Sequence, residues 1–555
     1  MTTADPSRDD PTSRAAGDTR RTKGPLWLVC SVAPLGAALF AWVRATNFRG
    51  YDEWVIFSLL SRGILSFPYA NRPLNLLWTW PGWFLAPDRL WGIALVHAFW
   101  LTLAGVLTGL LVRRLLPGSA SLAFLAACFT VVWAPSDLTR LSGVQMSLYS
   151  GSTAGTLTAL WLLVEAWCRR CPALLSLAAA AAVATVLSVE AALPLLALGP
   201  LLLVLAGARH ERGRWLRWSI GWYVLLAALG WRAVAAIARA GDTVAYQTEV
   251  LGFAPAGRVP SRLLSQFRHH LLPLFASARR ELAVAAVPLV LVVFGVGCFL
   301  AIRRDASTIA GGRARRRALA LAGLVGIVGA ALAYLPFVVS QGVRGPVRTQ
   351  FLSAPGMGLA IAASVSLLAS ALPVRLRPVA IGLLGAWVVA VGAGRTVALQ
   401  AAWDKQSAYG AQRRLLLQLA SLAPDVQPHT FFVLLQREPT FAFDFTFTHA
   451  VAYLYEGRAR GHASDASRLL YETWYDADAV VWQPQPILRA WGDELTRYRY
   501  DELFVCREQA DGRLALDESW PAELPALPSG ARYAPKGRIR AGAPSRRLSL
   551  LAVEP

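Results

Sequence analysis

The chain is short of charge. Asp, Glu, Lys and Arg make up 16% of its 555 residues, where soluble domains carry about 25%. Acidic residues are the scarcer kind, 34 against 55 basic ones, which leaves a formal charge of +21. This shortage excludes an ordinary soluble fold, because 55% of the residues are hydrophobic and they are gathered into long blocks. Several chemical motifs are also absent: the phosphate-binding Gly-rich loop, the dinucleotide fingerprint, HExxH and G-x-S-x-G. Their absence argues against an ATP-driven pump and against a zinc protease. Six cysteines suggest no disulfide framework. Cys30, Cys128 and Cys298 lie in apolar blocks and are expected to pack there. Cys168 and Cys171 form a C-R-R-C turn with no second pair and no nearby His, so two reduced thiols are expected. Cys506 stands alone in the tail. No internal repeat is visible.

What is present is a series of apolar runs. A membrane-spanning helix needs about 20 such residues, and runs near 17 are tolerated. The blocks at 25–43, 91–112, 119–134, 152–168, 172–189, 191–207, 218–238, 282–302, 318–340, 351–371 and 378–394 meet that requirement. They predict a polytopic α-helical membrane protein with about eleven transmembrane helices. The stretch 172–207 is read as two spans with Glu190 at the turn, since one helix of that length would overrun a bilayer. Arginines collect between the blocks as they do in cytoplasmic loops. With two spans there and the N-terminus inside, Arg113, Arg169, Arg212, Arg303, Arg315, Arg375 and their neighbours all fall on one face. No basic stripe interleaved with exposed aromatics appears outside the blocks, so nucleic acid is set aside.

Three regions follow. Residues 1–24 are polar and expected to be a disordered cytoplasmic N-terminus. Pro25 to Val43 lacks a small-residue cleavage site and reads as an uncleaved anchor. Residues 25–395 form the membrane domain of a bacterial-type inner (plasma) membrane protein. Residues 396–555 are expected to form a small extracytoplasmic α/β domain, with a buried strand at 430–435, helical patterns at 404–422 and 464–473, and a loosely ordered basic end from about 521. The first outer loop, 46–90, carries Trp54, Trp78, Trp80, Trp83 and Trp91 at expected headgroup depth, and its prolines split it into short amphipathic interfacial helices. A second outer segment, 239–281, spaces Leu263, Leu264, Phe267, Leu271 and Leu272 as a surface helix. Its cations are expected to face lipid phosphates or a phosphorylated ligand.

The chemistry-bearing candidates sit at the outer face. Asp52 and Glu53 open the first outer loop, in Asn47-Phe48-Arg49-Gly50-Tyr51-Asp52-Glu53-Trp54. A vicinal acidic pair at a membrane edge suits a general base facing a membrane-borne substrate. It also suits a polar helix end in contact with headgroups. Arg72, in Asn71-Arg72-Pro73-Leu74, and Arg344 and Arg348, in a later outer loop, can hold a phosphate in two-pronged fashion. Headgroup contact uses the same residue type. Glu190 is placed to orient a substrate or to pair with an Arg. Arg140 is expected to pair with Asp137.

Taken together, these features resemble the GT-C class of membrane glycosyltransferases, which includes protein O-mannosyltransferases and the aminoarabinose transferases of lipid A. Tyr51-Asp52-Glu53 matches that class's acidic pair, Asn71-Arg72-Pro73-Leu74 its basic-proline motif, and Ser188-Val189-Glu190 a later acidic motif. Val189 departs from the pattern, in which a basic residue often precedes the glutamate. The resemblance implies an inverting transfer of a sugar from a polyprenyl-phosphate donor to a cell-envelope acceptor. Asp52 or Glu53 would be the base, Arg72, Arg344 or Arg348 would bind the donor phosphate, and Glu190 would orient the substrate. Some members of the class use a divalent cation, and no metal site is assigned here. A transporter, a non-catalytic envelope-assembly subunit and an O-antigen polymerase or ligase are the alternatives. Transport predicts charges deep in several spans and paired broken helices, whereas most of these blocks are uncharged apart from Glu165 and Arg232.

Overall fold

The computed structural model describes residues 25–43, 48–66, 71–207, 211–240, 253–275, 282–305, 313–340, 345–486, 488, 492–540, 542 and 545–552. Each of the eleven apolar blocks lies in helix: α1 (Pro25–Phe40), then α4 (Leu90–Leu115), α5 (Ala120–Val132), α6 (Gly143–Arg169), α7 (Pro172–Ser188), the paired short helices α8 (Leu193–Leu196) and α9 (Gly199–Leu205), α10 (Arg212–Ala240), α12 (Ala286–Asp305), α13 (Arg313–Val338), α14 (Ala354–Ser370) and α15 (Arg377–Gln406). Between them come α2 (Asp52–Ser61) and α3 (Trp80–Leu85) in the first loop, and α11 (Val259–Leu271) in the second. Among the described residues, five helices are long and apolar enough to cross a membrane: α4, the Arg212–Ala236 part of α10, α12, α13 and the run Val374–Gln406 that contains α15. The other apolar helices are shorter. Large apolar side chains such as Leu95, Phe99, Val224, Trp231, Val292, Leu324 and Leu383 are exposed along these helices, as lipid contact requires.

α5 lies at the centre. Twelve of its residues are buried, packed against α1, α4, α12, α14 and α15. Small residues let backbones approach where polar glue is scarce. A Cβ on Gly151 of α6 would stand 2.3 Å from the Trp78 side chain, so only Gly lets the first loop lie flat on α6. Glu165, near the end of α6, is neutralised by Arg114 and Arg169 at 3.3 and 2.6 Å.

After α15 come, among the described residues, α16 (Tyr409–Leu422) and α17 (Asp444–Leu454) with nine short strands. β2 (Thr430–Leu435) runs parallel to β3 (Ala459–Ala463) on one side and to β7 (Leu503–Glu508) on the other, and β8 (Leu514–Leu516) adds antiparallel to β7. A second, antiparallel sheet orders β4 (Tyr471–Tyr475), β5 (Ala479–Pro484) and β6 (Thr496–Arg499). β1 (Asp425–Val426) pairs with β9 (Ile539–Arg540). The expected strand at 430–435 and the helical pattern at 404–422 are found here.

Four expectations need correction. Residues 464–473 are not helical. Asp444 takes the backbone amides of Leu469, Leu470 and Tyr471 on one carboxylate oxygen at 2.7–2.8 Å, and Tyr471 then enters β4. The end from 521 is irregular but packed: Trp520 stacks edge-on to Tyr500 and Tyr533, and the Tyr533 hydroxyl accepts from Val505 N and donates to Asp517 O. Trp54 is not at headgroup depth. It is fully buried, and its indole donates to Gln412 of α16 at 2.7 Å. Cys30 is exposed, while Cys128, Cys298 and Cys506 are buried.

The surface helix is only half as expected. α11 leaves Leu264, Arg268 and His269 exposed, but Phe267 meets Tyr334 of α13 edge to face. Arg262 is spent on the carbonyls of Val338 and Ser340 at the end of that helix. His270 is buried between Tyr334 and the Trp133 carbonyl.

Candidate functional site

Gly50 adopts φ +94°, and a Cβ there would meet the Gln412 amide at 2.4 Å. The turn it makes delivers Asp52 and Glu53 into the first turn of α2, where unpaired amides favour negative charge. The two carboxylates then part company. Glu53 is fully buried. Its oxygens accept the backbone amides of Arg49 at 3.1 Å and Tyr51 at 3.0 Å, and the Ser142 hydroxyl at 3.1 Å. Burial pushes its pKa up, against those amides, and the charge of Asp52 adds to the rise. Asp52 is half-buried and accepts a bond from the neutral amide of Gln145 at 2.5 Å. Among the described residues no cation lies within ion-pair distance of it. Arg49 instead lies over the Tyr51 ring, 5.1 Å from its centroid.

Ser142 and Gln145 stand at the start of α6, just after a short 3-10 turn, Leu138–Leu141. Asp137 caps that turn, accepting from Thr139 N and Thr139 Oγ1. It also accepts the backbone amides of Arg348 at 3.2 Å and Gln350 at 3.1 Å. Arg348 itself sits at φ +63°, and its amide also donates to Thr139 Oγ1 at 3.2 Å, so its loop is held by backbone bonds. Burial raises the Asp137 pKa despite four hydrogen bonds. The expected Arg140–Asp137 pair does not form. Arg140 donates to the Val131 carbonyl, although the two charges still feel one another. Thus the stretch 137–145 ties the acidic pair at one end to the Arg348 loop at the other.

Arg72 and Glu190 meet as a two-pronged ion pair, with Nε–Oε2 at 2.7 Å and Nη2–Oε1 at 2.5 Å. The pair is framed by the Leu74 amide on the Leu187 carbonyl and the Ser188 hydroxyl on the Leu74 carbonyl. Trp78, a few residues on, lies against Gly151 of α6, which brings this pair to the same helix as Gln145. Arg344 lies outside the described residues. Among the described residues no three His, Cys, Asp or Glu side chains are grouped to hold a metal ion.

Gln145 and Gln412 escaped the sequence reading. A glutamine has no periodic signature, and only the polar run Ser142-Gly143-Val144-Gln145 opening an apolar helix hints at the first. The C-terminal region also contributes to the site. Gln412 donates to the carbonyls of Gly50 at 2.8 Å and Thr440 at 2.9 Å, and the Tyr409 ring packs tilted against Phe48 and Trp54.

No protein-family model matches the chain, and no curated protein does. Among solved structures it is similar to ArnT from Cupriavidus metallidurans, bound to undecaprenyl phosphate and in the apo state. In both cases the TM-score is 0.39 and the identity 15%, covering 79% of this chain and 86% and 85% of those chains. A likeness of that depth assigns no role to any residue here.

Proposed function

We propose that this chain is a membrane glycosyltransferase that moves a sugar from a polyprenyl-phosphate donor to a cell-envelope acceptor. The transfer takes place at the outer face of a bacterial-type inner membrane. In this reading the N-terminus is cytoplasmic, all eleven apolar blocks span the bilayer, and residues from 396 form an extracytoplasmic domain. The observation that carries the reading is the unequal treatment of the acidic pair. Glu53 is consumed by backbone amides, while Asp52 keeps a half-buried carboxylate beside a neutral amide. A base must be open to the proton it takes, and of the two carboxylates Asp52 is the one left half-buried rather than enclosed.

The Asp52 carboxylate takes the proton of an acceptor hydroxyl. The oxygen attacks the anomeric carbon, the bond from that carbon to the donor phosphate breaks, and the polyprenyl phosphate leaves with inversion at the sugar. Negative charge gathers on the departing phosphate, and arginines answer it. Arg348, on the loop tied to Asp137, is one, and Arg344 is its neighbour in sequence. Arg72 serves the same phosphate while Glu190 fixes its orientation. Glu53 positions the turn that presents Asp52.

The test is sugar transfer in membranes containing the chain, given labelled polyprenyl-phosphate sugars and envelope extract. Loss of transfer in Asp52→Asn at normal abundance supports the reading. Transfer that survives both Asp52→Asn and Glu53→Gln would remove the site assignment.

A further inference from the structure

Far from Asp52, five helix ends line a cleft. Ser121 and Leu122 come from the start of α5, Ile302 and Asp305 from the end of α12. Arg315, Arg316 and Leu319 belong to the first turns of α13, Ser366 and Ser370 to the end of α14, and Arg377 with Ile381 to the start of α15. The opposite ends of α5, α13 and α14 carry Trp133, Val338 and Ser353, beside the candidate site. The 17 residues of α14 alone separate the two regions by roughly 25 Å, at 1.5 Å per residue.

Among the described residues the charges lining the cleft are uneven, three guanidinium groups against one carboxylate. That carboxylate is already engaged. Asp305 is buried and caps α5, accepting from Ala120 N at 2.6 Å, Ser121 N at 3.0 Å and the Ser121 hydroxyl. Arg315 stands 3.9 Å from it. Arg316 donates to the carbonyl of Ser370, the last residue of α14, at 3.1 Å, and Arg377 donates to that of Leu372, just past it, at 3.0 Å. The first amides of α13 add partial positive charge at the same place. The other wall is hydrocarbon, formed by Leu122, Ile302, Leu319 and Ile381. A soluble anion has no use for that wall, whereas a phosphodiester carrying acyl chains uses both halves.

We infer that this cleft binds the headgroup phosphate of an anionic phospholipid, with its acyl chains along the apolar wall. The inference rests on these helices lying in a bilayer and is independent of the sugar chemistry. Basic pockets between helices at an arginine-rich membrane face are suited to such lipids, and arginine holds a phosphodiester by two parallel bonds.

Native mass spectrometry of the purified full chain tests it, with phosphatidylglycerol and phosphatidylcholine of matched chains added in detergent. The wild type should retain phosphatidylglycerol over phosphatidylcholine. Arg316→Gln with Arg377→Gln should weaken that retention about tenfold, as the loss of charge-assisted contacts implies. Arg375→Gln, exposed at the same end but outside the cleft, should change nothing. If the double variant does not fold, each single variant should still lose about threefold. Equal retention of both lipids, or retention untouched by the cleft variants, overturns the inference. So does displacement of the lipid by millimolar inorganic phosphate, which would mark a site for a free anion.

Discussion

Arg72 and Glu190 stand 118 positions apart and close on one another through two parallel bonds. Both side chains keep some exposure, 22% and 20%, so the pair is sheltered yet open to a ligand. The guanidinium is held flat by the carboxylate, and its remaining N–H groups have a fixed direction. An arginine set in this way would suit the phosphate contact proposed for Arg72, whereas lysine offers only a point charge.

Arg72→Lys should therefore lower the rate of sugar transfer more than it lowers stability. In a double-mutant cycle with Glu190→Gln, melting of the detergent-solubilised chain should return a coupling of about 1 kcal/mol, between the values for exposed and buried pairs. A coupling near zero would mean the pair contributes nothing in solution.

Asp52→Asn should leave melting close to wild type and reduce transfer about 10²- to 10⁴-fold, the range expected for loss of a general base. Single-turnover transfer measured at saturating donor separates this from weaker binding.

Glu53→Gln should behave in the opposite way. Its new N–H donor would face the amides of Arg49 and Tyr51, and an unmet buried donor costs about 1–3 kcal/mol. A lowered melting temperature is expected, with a partial loss of transfer that follows the folded fraction.

A buried cluster contributes to the pH response of the C-terminal region, beside His462, whose pKa burial lowers to about 4. Asp493 accepts the Tyr471 hydroxyl at 2.9 Å and is flanked by Arg62 and Arg460, both at 3.2 Å. His449 Nε2 lies 2.9 Å from the same hydroxyl, and burial holds its pKa down at about 3. A histidine kept neutral by the fold contributes its full stability above the unfolded value near 6.5. That contribution is lost as pH falls from 6.5 towards 3, by up to about 1.4 kcal/mol per pH unit for one proton. Asp493, whose pKa is lowered, loses its contribution at still lower pH. Melting should therefore worsen as pH falls below 6.5, and His449→Gln should flatten that part of the profile. A wild-type profile that is flat from pH 6.5 to 4 would contradict this.

Gly151→Ala should cost about 1–3 kcal/mol through overpacking against Trp78. Because Trp78 follows Arg72 on the same loop, transfer should fall with it. Thermal melting and transfer on one preparation check both effects.

Long apolar runs were readable because a bilayer demands length and nothing else, and every such run from 25–43 to 378–394 is helical. Strand 430–435 was readable for the same local reason, five consecutive apolar residues from Phe431 to Leu435 bounded by polar ones. Trp54 was not, since an indole seated against Gln412 has the same sequence surroundings as one at a membrane surface. Residues 464–473 misled because the decisive partner is Asp444, distant from the local spacing. At the candidate site the acidic pair stood out as a pair, but the division of labour between Asp52 and Glu53 depends on Ser142 and Gln145, about 90 positions downstream. Asp137 was visible and given the wrong partner, because a carboxylate next to an arginine suggests an ion pair and gives no sign of two amides arriving from residues 348 and 350.

The helix that begins with Asp52 is held from the far side by late residues. Arg547 reaches the Ser61 hydroxyl at 3.2 Å and the Tyr453 carbonyl at 2.9 Å, and Leu550 receives the Tyr409 hydroxyl. A ribosome delivers α2 some 490 residues before it delivers Arg547, so the carboxylate is threaded early and braced last. A nascent chain thus carries the helix without its brace until synthesis has passed that point.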